Sequence, residues 1–275
     1  MWKKIETLGI FCLLILFIIA ILYPTLNIMS VSLRSDDAFQ TRSLTFWTNE
    51  SNFKSYFTLF SETKFLTWMK NSFIVSFVVT LTGVVLASTS GYALSRFNFF
   101  GKKAVLSSIL MTQMFPATML LLPFFILLAK FELINSYIGL IIIYSSTALP
   151  FCVWQMKGYY DTVPPELEES ARMDGCTRIS AFTKIILPVS LPALVITALF
   201  SFMASWSEYV VASIVLQDPE LYTLPLGLKS FQASLATQWG LYAAGAVVVS
   251  IPVTVLFIML SRFLVSGLTI GSVKG

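Results

Sequence analysis

Long apolar stretches without a charged residue alternate with short polar segments along the chain. Charge-free stretches of more than 20 residues cover positions 7–33, 71–95, 104–129, 133–156, 185–207 and 230–261. A helix needs about 20 apolar residues to cross the hydrocarbon core of a membrane. The pattern therefore predicts six membrane-spanning helices, over residues 8–31, 71–95, 104–129, 137–156, 190–216 and 239–265.

The first stretch has a second interpretation, a cleaved signal peptide, because Lys3 and Lys4 precede it. Its apolar run is longer than the roughly 7–15 residues of a signal peptide, and no small-residue cleavage site follows it. We therefore interpret it as an uncleaved first span.

Composition supports a membrane protein and excludes several other classes. Apolar residues make up 56% of the 275 residues, charged residues 12%, and the mean hydropathy is +0.81. So few charges would not cover the surface of a soluble enzyme. The composition also excludes a disordered chain and a secreted disulfide scaffold. Cys12, Cys152 and Cys176 fall in two spans and one loop, so no disulfide is expected. The net charge of +4 is too small to indicate a nucleic-acid partner.

The distribution of Lys and Arg predicts that both termini are cytoplasmic. With the N-terminus inside, 11 of the 18 Lys and Arg residues are cytoplasmic and seven lie outside. This bias agrees with the positive-inside rule. The loop between spans two and three is the clearest case, since Arg96, Lys102 and Lys103 stand there without an acid.

Aromatic side chains at helical spacing predict a short amphipathic helix on the outer face, before the second span. The four positions are Phe53, Tyr56, Phe57 and Phe60. Packing is the expected role of these rings, rather than ligand binding.

The longest predicted cytoplasmic loop, residues 157–189, begins with the pattern of a capped helix. Pro164 and Pro165 suit a first helical turn, and acids follow at the positive end of the helix dipole. Gly175 is expected to end this helix in a left-handed conformation.

A second short helix is predicted over about residues 178–187, with Thr177 as its cap and Pro188 at its end. Two capped helices joined by a tight turn form a compact protrusion, which favours a docking role over a solvated loop. The predicted apolar side of the second helix carries Ile179, Phe182, Ile185 and Ile186.

Glu208 is the only acidic residue inside a predicted span. A charge at the centre of a bilayer costs at least about 2.5–3.5 kcal/mol, so such a residue usually faces a cavity or a partner. With Trp206 and Tyr209 beside it, Glu208 has two interpretations: a role in the transport pathway or gate, or a structural hydrogen bond between helices. The sequence is compatible with both interpretations of Glu208.

The cytoplasmic loop resembles a known family. Its residues follow the spacing of the EAA loop in membrane subunits of binding-protein-dependent ABC importers. The matching order is Glu169-Ser170-Ala171, three residues, Gly175, nine residues, Ile185, one residue and Leu187-Pro188. Ser170 departs from the usual Ala, and both residues are small. Further segments look like the MalG branch, the maltose/maltodextrin-type sugar permeases, at positions 91–97, 113–116, 157–160 and 267–275.

The resemblance implies an all-α integral membrane protein with six transmembrane helices and cytoplasmic termini, a MetI/MalG-like type I importer domain in the bacterial or archaeal inner membrane. Residues 1–70 would form the first span and an extracytoplasmic segment. Residues 71–275 would form the five-helix core, with the EAA loop (157–189) and a cytoplasmic tail (266–275). The chain would be a multi-pass transport subunit, not an enzyme, for a maltose/maltodextrin-like sugar or oligosaccharide.

Several partners follow from the same resemblance: a MalF-like second permease subunit, two cytoplasmic ABC ATPase subunits, an extracytoplasmic sugar-binding protein and membrane lipid. The sequence lacks G-x-x-x-x-G-K-[ST], so no cofactor is expected on this chain, and ATP and Mg would bind to the partner ATPases. No metal site, catalytic residue or nucleic-acid partner is expected. An ATPase cleft would receive the EAA residues Glu169, Ser170, Ala171, Gly175, Ile185, Leu187 and Pro188, with Glu169 against a basic residue.

Two further contacts are implied by the resemblance. The tail would reach between the ATPase subunits, although its residues alone indicate a disordered end; its candidates are Gly267, Thr269, Gly271, Lys274 and Gly275. The last outer loop would enter the cleft of the binding protein, or be an ordinary connection; its candidates are Phe231, Gln232, Ser234, Leu235 and Gln238.

Three alternative functions differ in what they require. A secondary transporter driven by an ion gradient needs more ionisable groups near the midplane, and one acid with no His argues against it. A membrane-embedded enzyme needs an HExxH motif or paired Asp residues, which the spans lack. An ABC permease for another solute, such as glycerol-phosphate or trehalose, has a similar sequence pattern.

Overall fold

The structure is a computed structural model that describes residues 2–34, 51–232 and 237–270. Helices and turns account for these residues, which contain no strand, so the predicted all-α fold is confirmed. In chain order the helices are α1 (Trp2–Ser32), α2 (Lys54–Ser61), α3 (Phe65–Arg96), α4 (Lys102–Met114), a 3₁₀ turn (Ala117–Leu120), α5 (Leu121–Lys130), α6 (Tyr137–Thr162), α7 (Glu166–Met173), α8 (Arg178–Ala181), a π turn (Phe182–Ile186), α9 (Leu187–Val189), α10 (Leu191–Trp206), α11 (Val210–Val215), α12 (Leu224–Lys229) and α13 (Trp239–Ile270).

Four helices are individually long and apolar enough to cross a membrane: α1, α3, α6 and α13. Two bent pairs of helices pass the same test when each pair is taken together, which raises the number to six. The first pair is α4 with the helix that follows it, and the second joins Arg178–Val189 to α10. The predicted spans one, two, four and six are therefore confirmed as single helices.

The third predicted span is not one straight helix. It bends by 95° between α4 and α5. Pro116 has no N–H to donate and disfavours a helical residue before it, and Phe115 is accordingly extended (φ −82°, ψ 126°). The third predicted span, residues 104–129, is therefore present as two helices that bend at this proline.

The fifth predicted span, residues 190–216, is also interrupted. α10 ends at Trp206, and the chain resumes as α11 only at Val210. The 16 residues of α10 give a length of about 24 Å, which is less than the ~30 Å hydrocarbon core. The carboxylate of Glu208, which lies in the break, bonds to the backbone of α11.

Two compact units make up the chain. The first comprises Met1–Leu66 and Gly227–Pro252, and the second comprises Thr67–Leu226 and Val253–Gly275. The division after residue 70 that the sequence predicts stays a prediction.

In the first unit, the predicted amphipathic helix is present as α2. Leu59 is fully buried, and the hydroxyls of Tyr56 and Ser32 lie 2.8 Å apart. Phe53 and Phe57 are 66% and 71% exposed, although the ring of Phe53 lies 5.9 Å from that of Tyr56. Only one side of α2 therefore faces the protein.

The second unit has two apolar clusters, one at each end of its helix bundle. The first joins α3, α6 and α11 around Val79, Leu140 and Val215. The second joins α3, α6, the π turn and α10 around Ala87, Met156 and Ile186, at the end predicted to be cytoplasmic. The EAA loop leaves the bundle at this second cluster.

α3 packs closely on α6 at Gly91. A Cβ atom on Gly91 would lie 2.8 Å from Cβ of Met156 and 2.9 Å from the backbone N of Lys157. Such distances leave no room for a methyl group. The two helices therefore touch backbone to backbone near the EAA loop.

At the opposite end of the second unit, side chains hold a segment without helix, residues 216–223. Asn71 donates to two of its carbonyls at 2.8 and 3.0 Å, and Nε1 of Trp68 donates to a third at 2.9 Å. Asn135 accepts from two of its N–H groups at 2.9 and 3.0 Å. This segment is thus fixed to the start of α3 and to the turn before α6.

Candidate functional site

The first helix of the EAA loop, α7, ends in the predicted left-handed glycine. Gly175 has φ +87°. The N–H of Cys176 donates to the carbonyl of Ala171 and that of Gly175 to the carbonyl of Arg172, both at 3.0 Å. These two bonds form a Schellman motif, which satisfies the last carbonyls of the helix. The predicted sharp stop of α7 is confirmed.

The second helix begins as predicted and then changes its winding. Thr177 accepts from the N–H of Ser180 at 3.2 Å and so caps α8. A π turn follows, and because it holds more residues per turn, it shifts every later side chain around the axis. Ile186 is fully buried, whereas Ile179, on the predicted apolar side of the same helix, is 77% exposed.

One face of α7 points away from the bundle. Glu166, Glu169, Ser170 and Met173 follow the i, i+3, i+4, i+7 spacing of a single helical face, and all four are exposed. The carboxylate of Glu169 makes no hydrogen bond or ion pair with the described residues. We call these four residues the outer face of α7.

The opposite face of α7 is bound to the end of α3 through Glu168. Nε of Arg96 lies 2.5 Å from Oε1 of Glu168, and the hydroxyl of Tyr92 donates to Oε2 at 2.8 Å. Nη2 of Arg96 also donates to the carbonyl of Val163 at 2.7 Å. Only Ala171 of α7 is buried, so these polar contacts do most to orient the helix.

The sequence analysis missed this role of Glu168. Two residues in the sequence indicate such a contact: Arg96 stands in a loop without an acid, and Tyr92 lies one helical turn before it. Both belong to segment 91–97, which carries part of the family resemblance. Their partner lies more than 70 residues away along the chain, and no local pattern specifies it.

Aromatic rings surround this contact. The rings of Tyr92 and Phe182 have centroids 4.4 Å apart, and Tyr160 packs edge-on against Tyr92 at 5.9 Å. The guanidinium of Arg178 lies 5.5 Å from the centre of the Phe97 ring. The π turn and α8 are thus fixed to the same end of α3 as α7.

The remaining predicted EAA residues lie at the base of the loop. Ile185 and Leu187 are half-buried and Pro188 is exposed. Nearby, the hydroxyl of Tyr159 donates to the carbonyl of Val189 at 3.1 Å. The base of the loop therefore rests on α6 as well as on α3.

Most tail candidates lie beyond the described side chains. The backbone of α13 runs as a helix through Gly267 and Thr269, whereas Gly271, Lys274 and Gly275 lie outside the described residues. The tail contact stays a prediction.

The outer-loop candidates are described in part. Phe231 is buried and accepts at its carbonyl from the N–H of Gln238 at 3.0 Å. The side chain of Gln232 accepts from Nζ of Lys229 at 2.5 Å. Ser234 and Leu235 lie outside the described residues, and the role of this loop stays a prediction.

Glu208 lies at the break between α10 and α11, with its carboxylate turned to the protein. Oε1 accepts from the N–H of Val211 at 2.9 Å, and Oε2 accepts from the N–H of Ala212 at 3.2 Å. The hydroxyl of Tyr144 on α6 donates to Oε2 at 2.8 Å. The carboxylate therefore caps α11 and links it to α6.

The two neighbours of Glu208 differ in their surroundings. Trp206 is 2% exposed and stacks on Phe202 at 5.2 Å, whereas Tyr209 is half-buried. The structure thus brings Glu208 and Tyr144 together, and it places Trp206 in the packing of α10.

Comparison with known proteins gives a family match over most of the chain. A family model described as "Binding-protein-dependent transport system inner membrane component" matches residues 80–269, a range that contains the whole EAA loop.

Curated relatives match over nearly their full length. The maltodextrin transport system permease protein MdxG of Bacillus subtilis (strain 168) is 37% identical over 276 residues, covering 99% of this chain and 98% of that protein. The galactooligosaccharides transport system permease protein GanQ of the same strain is 36% identical, covering 99% and 97%. The maltose/maltodextrin transport system permease protein MalG of Yersinia pestis is 34% identical, covering 99% and 95%.

Among solved structures, a chain from a bacterial ABC transporter involved in the import of the acidic polysaccharide alginate has the same fold. The TM-score is 0.82 at 24% identity, and the match covers 94% of this chain and 96% of that one. At this identity the likeness supports the fold.

Proposed function

The chain belongs to the family of binding-protein-dependent transport system inner membrane components, and from this premise we propose that it forms part of the membrane path of an ABC importer for a maltodextrin-like oligosaccharide. Its relatives in this family are permease subunits and not enzymes. The choice of substrate is supported by the full-length similarity to permeases named for maltodextrin, maltose and galactooligosaccharides.

The observation that carries the proposal is the outer face of α7. It presents the exposed Glu169, with no partner in the described chain, beside the apolar side chain of Met173, which is 89% exposed. An unpaired carboxylate beside an apolar side chain suits a protein surface that offers a basic residue and an apolar cleft. We assign this face to the contact with a cytoplasmic ATPase subunit, which hydrolyses ATP with Mg.

The other partners follow the same assembly. A MalF-like second permease subunit completes the path through the membrane, and a second ATPase subunit docks beneath it. An extracytoplasmic sugar-binding protein delivers the oligosaccharide on the opposite side. The N-terminus, the EAA loop and the tail all lie in the cytoplasm in this arrangement.

The contacts of Glu208 favour its structural role. Its carboxylate already accepts three hydrogen bonds from Val211, Ala212 and Tyr144, so a sugar hydroxyl would have to displace one of them. The break that it stabilises in the fifth span provides a point at which the membrane domain can bend. We assign the pathway role to this bend and to Tyr209, rather than to sugar binding by Glu208.

The test is uptake of labelled maltotetraose into proteoliposomes that contain this chain, its second permease subunit and the ATPase. We expect uptake only with internal ATP and with the binding protein outside. Uptake driven by a proton or sodium gradient without ATP would contradict the proposal and favour a secondary transporter. Calorimetry of the binding protein with maltotetraose, trehalose and glycerol-3-phosphate then identifies the solute.

A further inference from the structure

We propose that Glu168 is the positioning residue that makes α7 and the end of α3 move as one body, so that motion of a docked ATPase reaches the membrane helices. This inference rests on the proposed function and adds a residue that the family pattern of Glu169, Gly175 and Pro188 does not include. It concerns how the EAA loop transmits movement, and not how it docks.

The geometry of the contact fixes the rotation of α7. Both oxygens of Glu168 are used, one by Arg96 and the other by Tyr92, and these two donors stand one helical turn apart on α3. Successive residues of a helix differ by about 100° around its axis. Holding Glu168 against α3 therefore determines the direction in which Glu169, the next residue, points.

The surroundings make the contact stiff. The side chains of Arg96 and Glu168 are only 13% and 15% exposed. Removing one member of such a pair leaves the other as a poorly solvated charge, which makes separation unfavourable. Arg96 also donates to the carbonyl of Val163, the first of the three residues between α6 and α7, so it braces both ends of the short connection.

The path continues from α3 into the bundle. One turn before Arg96, Tyr92 packs on Phe182 of the π turn, and its neighbour Gly91 touches the backbone of α6. Ser95 adds a hydrogen bond of 2.7 Å to Asp161 of α6. A push on the outer face of α7 thus acts on α3 and α6 together, through Glu168.

The experiment compares Glu168→Ala with Arg172→Ala in the reconstituted transporter. Arg172 is an exposed charged residue on the same helix and lies outside the outer face of α7, so its variant controls for loss of charge and for altered helix propensity. We expect Glu168→Ala to insert into the membrane and to retain its ATPase subunits, but to transport about tenfold less maltotetraose per ATP hydrolysed, as expected when a charged hydrogen bond is lost. Arg172→Ala is expected to keep the wild-type ratio.

The isosteric variant Glu168→Gln is the test if the alanine variant is lost from the membrane. Its amide keeps one acceptor but loses the charge, so the transport per ATP is expected to fall below the wild-type ratio. An unchanged ratio in Glu168→Ala, or in Glu168→Gln where the alanine variant is lost, would overturn the inference. A fall in uptake that is matched by an equal fall in bound ATPase would overturn it too, since that would indicate docking alone.

A second readout does not depend on transport. Cys176 lies three residues after the end of α7, Cys152 is 1% exposed, and Cys12 is removed by Cys12→Ser, so that a spin label reports on Cys176 alone. We expect faster motion of the label in Glu168→Ala than in Arg172→Ala, and equal motion in both would contradict the inference. Normal uptake and ATPase binding in Glu169→Lys would instead contradict the proposed docking, so the two failures are distinguishable.

Discussion

The hydroxyl of Tyr144 on α6 donates a hydrogen bond of 2.8 Å to the carboxylate of Glu208, at the point where the fifth span is interrupted. The same carboxylate accepts from the first N–H groups of α11. One side chain thus caps α11 and joins it to α6.

Replacing Glu208 by alanine is expected to destabilise the protein by about 1–2 kcal/mol, because two N–H groups of α11 lose their acceptor. The measurement is the thermal unfolding midpoint of the purified protein in detergent. Tyr144→Phe is the matched control, since it removes one hydrogen bond and keeps the ring. A midpoint of Glu208→Ala equal to that of Tyr144→Phe would contradict the capping role.

Gly91→Ala is expected to destabilise by about 1–3 kcal/mol, because the added methyl group meets Met156 and Lys157 at 2.8 and 2.9 Å. The free energy of unfolding in a denaturant series measures the change. Gly158→Ala is the control, since a Cβ there has no neighbour within 4 Å. Similar losses in both variants would argue against close contact of α3 and α6.

Gly175→Ala is expected to cost about 1–2 kcal/mol through backbone strain, since φ is +87° and a Cβ would meet no atom within 4 Å. Asn tolerates this conformation better, so Gly175→Asn is expected to retain more of the bound ATPase than Gly175→Ala. Co-purification of the ATPase with each variant gives the comparison. Equal retention by both would show that the left-handed turn does not matter for docking.

Glu169→Lys is expected to abolish co-purification of the ATPase and uptake, because it places a cation against the basic residue proposed on the partner. Insertion into the membrane is expected to be unchanged, since Glu169 is exposed. Glu62→Lys makes the same charge change in the segment predicted to lie outside, and it is expected to behave as wild type. Retained ATPase in Glu169→Lys would refute the docking role.

The sequence was sufficient for what depends on local patterns. Apolar stretches located the helices, and the cap of Thr177 and the turn at Gly175 follow from residues close to each other in the chain. These features need only the neighbouring backbone. The EAA spacing likewise locates the loop from the sequence alone.

The features that the sequence did not predict depend on distant partners or on small changes in winding. A helix of 3.6 residues per turn would place Ile179 and Ile186 on one side, but the π turn lies between them and changes their relative direction, and Ile186 is buried while Ile179 is exposed. The break at Glu208 needs Tyr144, which lies 64 residues before it, and the position of Glu168 needs Tyr92 and Arg96. Hydropathy does not distinguish a straight span from an interrupted one.

The side chains that hold residues 216–223 have a practical consequence for labelling. This segment lacks a helix, yet Trp68, Asn71 and Asn135 bind five of its backbone groups. An epitope tag inserted there would have to break these bonds, whereas inserted residues are usually tolerated where the backbone is unbound. Proteases are expected to spare the segment for the same reason, so it suits an antibody that recognises a folded surface better than one raised against a linear peptide.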